Sequence, residues 1–138
     1  MKIILKTALA VTCGLIAASA LALDTSKTIL CASLEVFECV DGAACENVRP
    51  EDVDAPTFLW VNIDDKEVRA NVSGRASKID HIEQVEDRLV LQGVEDGRED
   101  AKDGTGWTIS IATQTGRMVG TAAADQAAIV IFGACTET

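Results

Sequence analysis

From Thr28 to its C-terminus the chain is a succession of short β-forming runs, each broken within a few residues by Gly, Asp, Asn or Pro, with no strong 3.6-residue apolar period. A chain patterned this way buries its apolar residues by pairing strands, and the expectation is an all-β antiparallel meander. Thr28 to Val40 is the longest run, with Leu30, Ala32, Leu34 and Val36 alternating against Cys31, Ser33, Glu35 and Cys39. Thr57 to Ile63 and Glu67 to Val72 flank the turn Asp64-Asp65-Lys66, and Lys78 to Val85 and Arg88 to Val94 flank Glu86-Asp87. Gly106 to Thr113 and Arg117 to Ala122 flank Gln114-Thr115-Gly116, where the glycine can take positive φ; Ala127 to Cys135 is the last run. These runs make eight strands. Asp41 to Pro56 lacks strand alternation and is expected as a loop, with one helical turn opened by Pro50. Closing eight antiparallel strands into a barrel removes both sheet edges and sets the first strand beside the last, so a small closed barrel is expected; a β-sandwich is the alternative.

The 138 residues suit one domain, and an apolar fraction of 48% with 25% mixed charge excludes disorder. Twenty-two acidic against 12 basic side chains give a net charge of −10, which opposes binding to nucleic acid or to anionic lipid. The first 22 residues have the form of a cleaved signal peptide: Lys2 and Lys6, an apolar region from Ala8 to Ala18, and the small-x-small site Ala20-Leu21-Ala22. Ala18-Ser19-Ala20 is a competing site. The alanine-rich apolar region points to a bacterial signal, and the expected organisation is a signal peptide over 1–22 and one all-β domain over 23–138, periplasmic or secreted and not inserted in the membrane after cleavage. Cleavage removes two lysines and no acid, leaving a more acidic domain.

Four cysteines remain after cleavage, Cys31, Cys39, Cys45 and Cys135, and an even number in a small exported domain points to two disulfides. Four cysteines allow three pairings, and a zinc site using Cys39 and Cys45 is the rival reading. In a closed antiparallel barrel the start of the first strand lies opposite the end of the last. That sets Cys31 beside Cys135 and leaves Cys39 with Cys45.

Catalytic chemistry is thinly represented. His81 is the only histidine, with no motif-framed nucleophile nearby, and carboxylates are so common that any close pair is expected by chance. The acidic stretch from Glu95 to Asp103 offers oxygens to calcium, but Arg98 and Ala101 break the EF-hand pattern, and a solvated loop is the simpler reading. Gly104-Thr105-Gly106 precedes a strand and not a helix, so it serves a turn better than a phosphate. Trp60 and Trp107 fall on strands, to fill the core or line a ligand cavity. No cofactor motif stands out. The leading expectation is a non-enzymatic periplasmic binding protein for a small apolar ligand or a protein partner; a carboxylate-dependent hydrolase of the cell envelope is the alternative.

The stretches Leu89-Val90-Leu91-Gln92-Gly93, Gly106-Trp107, Thr115-Gly116-Arg117-Met118 and Phe132-Gly133-Ala134-Cys135-Thr136, with Cys39, Cys45 and the acidic loop between them, resemble small exported proteobacterial β-proteins of unassigned function. That resemblance implies a compartment and no activity. The architecture is also similar to lipocalin-like barrels. Periplasmic lysozyme inhibitors are similar in combining a signal peptide, a small β-barrel and disulfides, which implies a further alternative, an inhibitor of a cationic envelope enzyme such as lysozyme.

Strand parity suggests an interaction patch. If Leu30, Ala32, Leu34 and Val36 point inward, then Cys31, Cys135 and Phe37 point outward, and Ile129 and Ile131 share that outward parity while Val130 and Phe132 point inward. Phe37, Ile129 and Ile131 would form an outward apolar patch beside a disulfide. Alternatively the loop from Asp41 to Pro56 folds back over it with Val48 and Val53.

Overall fold

A computed structural model describes residues 22–71, 74, 76–96 and 104–138. The expected signal peptide, apart from Ala22, lies outside the described residues, as does most of the acidic stretch between Glu95 and Asp103. The strands are β1 (Ile29–Val40), β2 (Glu46–Val48), β3 (Phe58–Asn62), β4 (Glu67–Ala70), β5 (Ala76–Lys78), β6 (His81–Val85), β7 (Arg88–Glu95), β8 (Thr105–Ala112), β9 (Arg117–Ala123) and β10 (Ala127–Glu137). They form one antiparallel sheet in the order β5-β4-β3-β1-β10-β9-β8-β7-β6, with β2 pairing with part of β1. The sheet curls into a half-barrel around the apolar core.

Among the described residues ten strands replace the eight expected, for two local reasons. The run Lys78 to Val85 is broken at Ile79-Asp80, where the chain passes from one edge of the sheet to the other. Ile79 N–H donates to Lys66 O at 2.8 Å on the β4 side, and Asp80 N–H donates to Gln92 O at 2.9 Å on the β7 side. β2 arises inside the expected loop. It pairs Val48 with Val36 and Glu46 with Glu38, and the helical turn opened by Pro50 forms as a 3-10 helix over Pro50–Val53.

β1 is the spine of the sheet, and as expected it lies against the last strand. Cys31 stands opposite Cys135 in the β1–β10 ladder, and the two are bonded; Cys39 is bonded to Cys45. Those bonds leave neither cysteine of the proposed zinc pair free as a thiolate ligand. The two disulfides imply an oxidising, extracytoplasmic environment. No helix among the described residues is long and apolar enough to cross a membrane.

The parity expected for β1 is wrong over its first half. The register slips at Leu34, an extra residue between Ser33 and Glu35 that is 69% exposed. Before this bulge the inward residues are Ile29 and Cys31, both fully buried; after it the inward residue is Val36. The bulge also marks a change of partner on one edge, from β3 beside Ile29 to Ala32 to β2 beside Val36 to Glu38. Ser33 holds the crossing point, its N–H donating to Thr57 O at 2.9 Å and its hydroxyl to Pro56 O at 2.6 Å.

At one end of the half-barrel the segment before β1 folds across the opening. Leu23 packs against the core, and its N–H donates to Thr113 O at 2.7 Å. Asp24 N–H donates to Glu137 Oε1 at 2.6 Å, and Lys27 Nζ lies 3.0 Å from Glu137 Oε2. The Asp24 amide and the Lys27 ammonium hold the Glu137 carboxyl below its ordinary range. The β8–β9 turn nearby requires its glycine. Gly116 has φ +70°, and a Cβ there would overlap the Cys135 carbonyl.

Candidate functional site

The opposite end is hollow. A cavity of about 400 Å³ lies there, within the size range of small-ligand pockets. Alternation along the strands decides its walls. Leu59 of β3, Val68 of β4, Ile109 of β8, Met118 of β9 and Ile131 of β10 all face inward and line it. Each is flanked in sequence by residues of the opposite face, so the hollow is apolar because five strands each contribute an apolar residue.

Two glycines shape the wall. Gly120 of β9 lines the hollow, between Ile109 and Ile131 in the two ladders. A Cβ at Gly120 would come no closer than 3.6 Å, to Ile131 Cβ, so the space beside it is open. Gly93 of β7 faces Trp107 of β8 in the ladder, and a Cβ there would overlap both the indole ring and the Lys78 carbonyl. The missing side chain at Gly93 is what lets Trp107 lie flat enough to form part of the wall. Its indole Nε1 is buried without a hydrogen-bond partner and has essentially no accessible surface, so Trp107 presents its ring and not its donor to the hollow.

Polar groups enter the lining at Asp54, Glu95, Thr105, Thr108 and Thr121. Asp54 follows the 3-10 helix in the left-handed conformation, φ 52°, which Asp tolerates better than most residues. Glu95 and Thr105 are ladder partners where β7 ends and β8 begins. Among the described residues no Lys, Arg or His lines the cavity.

The outward patch expected from sequence takes a different membership. Phe37 and Val130 are ladder partners on one face, whereas Ile131 pairs with Val36 on the other and is only 7% exposed. Ile129 also packs against the core. Ile129 and Ile131 are therefore interior residues, and Val130 and Phe132, expected inside, face outward; Phe132 is 42% exposed and meets the Phe37 ring edge-on at 6.0 Å between centroids. Leu34, Phe58, Trp60 and Val119 are the other large exposed apolar side chains on this part of the outer face. The loop between β1 and β3 does fold back, but Val48 and Val53 pack against the interior cluster and leave that face open.

His81 lies on β6 outside the cavity, exposed, with Nε2 3.3 Å from Glu83 Oε2, and this exposed pair assembles no catalytic group. Among the described residues no three His, Cys, Asp or Glu side chains come together to hold a metal. A second hollow, of about 440 Å³, lies beside Trp60, Asn62, Asp65, Glu67 and Arg69, but it is shallower and more open to solvent. The cavity under Trp107 was half legible in the sequence, through a tryptophan on a strand; its depth depends on Gly93 and Gly120, whose roles emerge only once their ladder partners are known. In comparison with known proteins, the chain matches no family model, no curated protein and no solved structure.

Proposed function

We infer that this protein is a non-enzymatic binding protein of the bacterial periplasm, exported by a cleaved signal peptide, and that it holds a small apolar ligand in the hollow of its half-barrel. The observation that carries this reading is the cavity of about 400 Å³ whose deep walls are Leu59, Val68, Ile109, Met118 and Ile131. Apolar groups that enter such a space leave water at a gain of about 0.8 kcal/mol for each buried methylene. Burying a glycan there would strip its hydroxyls of water without replacing those hydrogen bonds, so the same walls disfavour the envelope-hydrolase alternative even though Asp54 and Glu95 both line the cavity.

The test is to fill the hollow without disturbing the core. Gly120→Val adds bulk where only an ordinary contact with Ile131 waits, and it raises β-propensity. Calorimetric titration with decanol should show saturable one-to-one binding to the wild type and at least a tenfold loss in Gly120→Val, with the thermal unfolding midpoint held or raised. Equal binding by the two proteins would place the ligand elsewhere and overturn this reading.

A further inference from the structure

We propose that two copies of this chain associate about a two-fold axis through the outer face of the sheet across β3, β1, β10 and β9. The contact is independent of the cavity, which lies on the inner face of the same strands. The ladders define the outward residues. One row runs Glu35, Phe132, Val119 across β1, β10 and β9, and the row beside it runs Phe58, Ala32, Ala134, Arg117 across β3, β1, β10 and β9. A third row holds Phe37, Val130 and Thr121. Phe58, Phe132 and Val119 are large exposed apolar side chains, and Leu34 stands out beside them on the β1 bulge. They are neighbours in one sheet, and a contiguous apolar patch of this kind marks an interface where scattered residues do not.

Charge selects the second copy as the occupant. The chain carries a net charge of −10, yet these three rows hold only two charged side chains, Glu35 and Arg117, one of each sign. Both are exposed, and neither forms a salt bridge or side-chain hydrogen bond among the described residues. They flank β10 on opposite sides, two strand spacings or at least about 9 Å apart. In an isologous contact each residue meets its counterpart twice. A two-fold axis lying in the contact plane and crossing β10 near Phe132 brings Glu35 of each copy to Arg117 of the other. Two groups without partners in the single chain thus close two ion pairs around an apolar centre. A strongly basic partner would find this face short of carboxylates, whereas a second copy supplies one for each arginine.

Sedimentation velocity over a concentration series reads the association, with thermal unfolding of every variant to confirm that it is folded. The wild type should pass from monomer to dimer as concentration rises, and Phe132→Thr, which keeps a strand-forming residue on the surface, should weaken the dimer at least about tenfold. Glu35→Arg gives each copy two cations at the contact, and Arg117→Glu gives each copy two anions, so either variant alone should stay monomeric. Mixed in equal amounts, the two should form a heterodimer, because every charge then meets its opposite. A chain carrying both exchanges should dimerise as the wild type does. A wild type that stays monomeric throughout overturns the proposal and leaves the face to a different partner. Dimers indifferent to both exchanges, or single variants that mixing does not rescue, would place the contact elsewhere and overturn it as well.

Discussion

At the residue scale, the facing of Ile131 and Phe132 decides which part of β10 belongs to the core. The two are neighbours in a strand that is apolar on both faces, so alternation alone places one inside and one outside without saying which. The structure resolves it through Cys31. As a thiol, Cys31 groups with Ser33 and Glu35 on the polar face of its strand; as half of a cystine it is an apolar group, and it is fully buried beside Ile29. Parity then carries across the ladder from Cys31 to Cys135, and the bulge at Leu34 lets Val36 rejoin the same face. No sequence signal marked that bulge, since Leu34 fits the alternation on either side of it. Truncation distinguishes the two faces. Ile131→Ala should cost about 2 to 4 kcal/mol in urea unfolding, in the range for a buried isoleucine. Phe132→Ala should cost about 1 kcal/mol, mostly its edge-on contact with Phe37. The reverse order would restore the inward facing of Phe132 and would remove Ile131 from the cavity wall.

At the scale of elements, the hairpins were legible because their turns carry their own chemistry. Gly116 takes the positive φ expected of it, and Lys66 and Glu86 also adopt positive φ in the other two turns. The short strands were not legible. β2 is three residues long among acids and pairs only with β1, a product of tertiary geometry that local pattern does not encode. The break at Ile79-Asp80 did leave a trace, because the core-packed Ile79 and Ile82 are three positions apart and not two, and there the chain changes its partner strand. The cross-links follow from topology, because β1 and β10 lie side by side however the remaining strands are divided. Cys31–Cys135 spans 104 positions and Cys39–Cys45 only 6. In the chain-entropy account, removing the first by a double Cys→Ala change should cost about 4 to 5 kcal/mol and removing the second about 2. Chemical denaturation of the two variants checks the ranking, and peptide mapping under non-reducing conditions checks the pairing. Equal losses would mean that the long loop is already constrained in the unfolded chain.

At the scale of the whole molecule, the two ends of the half-barrel are unlike. One is crossed by Leu23 and the clasp of Asp24, Lys27 and Glu137; the other holds a hollow walled by apolar side chains and given its space by two glycines. The outer face complicates this division, because Leu34, Phe58, Trp60, Val119 and Phe132 also offer exposed apolar surface to an apolar probe. Binding alone therefore does not locate the ligand. Side-chain NMR does, through methyl and indole signals recorded on labelled protein as decanol is added. The account predicts that Ile109, Met118 and Ile131 methyls and the Trp107 indole shift together and saturate, while Val119, Leu34 and the Trp60 indole stay in place. Shifts confined to Leu34, Val119 and Trp60, with the interior methyls unmoved, would contradict it.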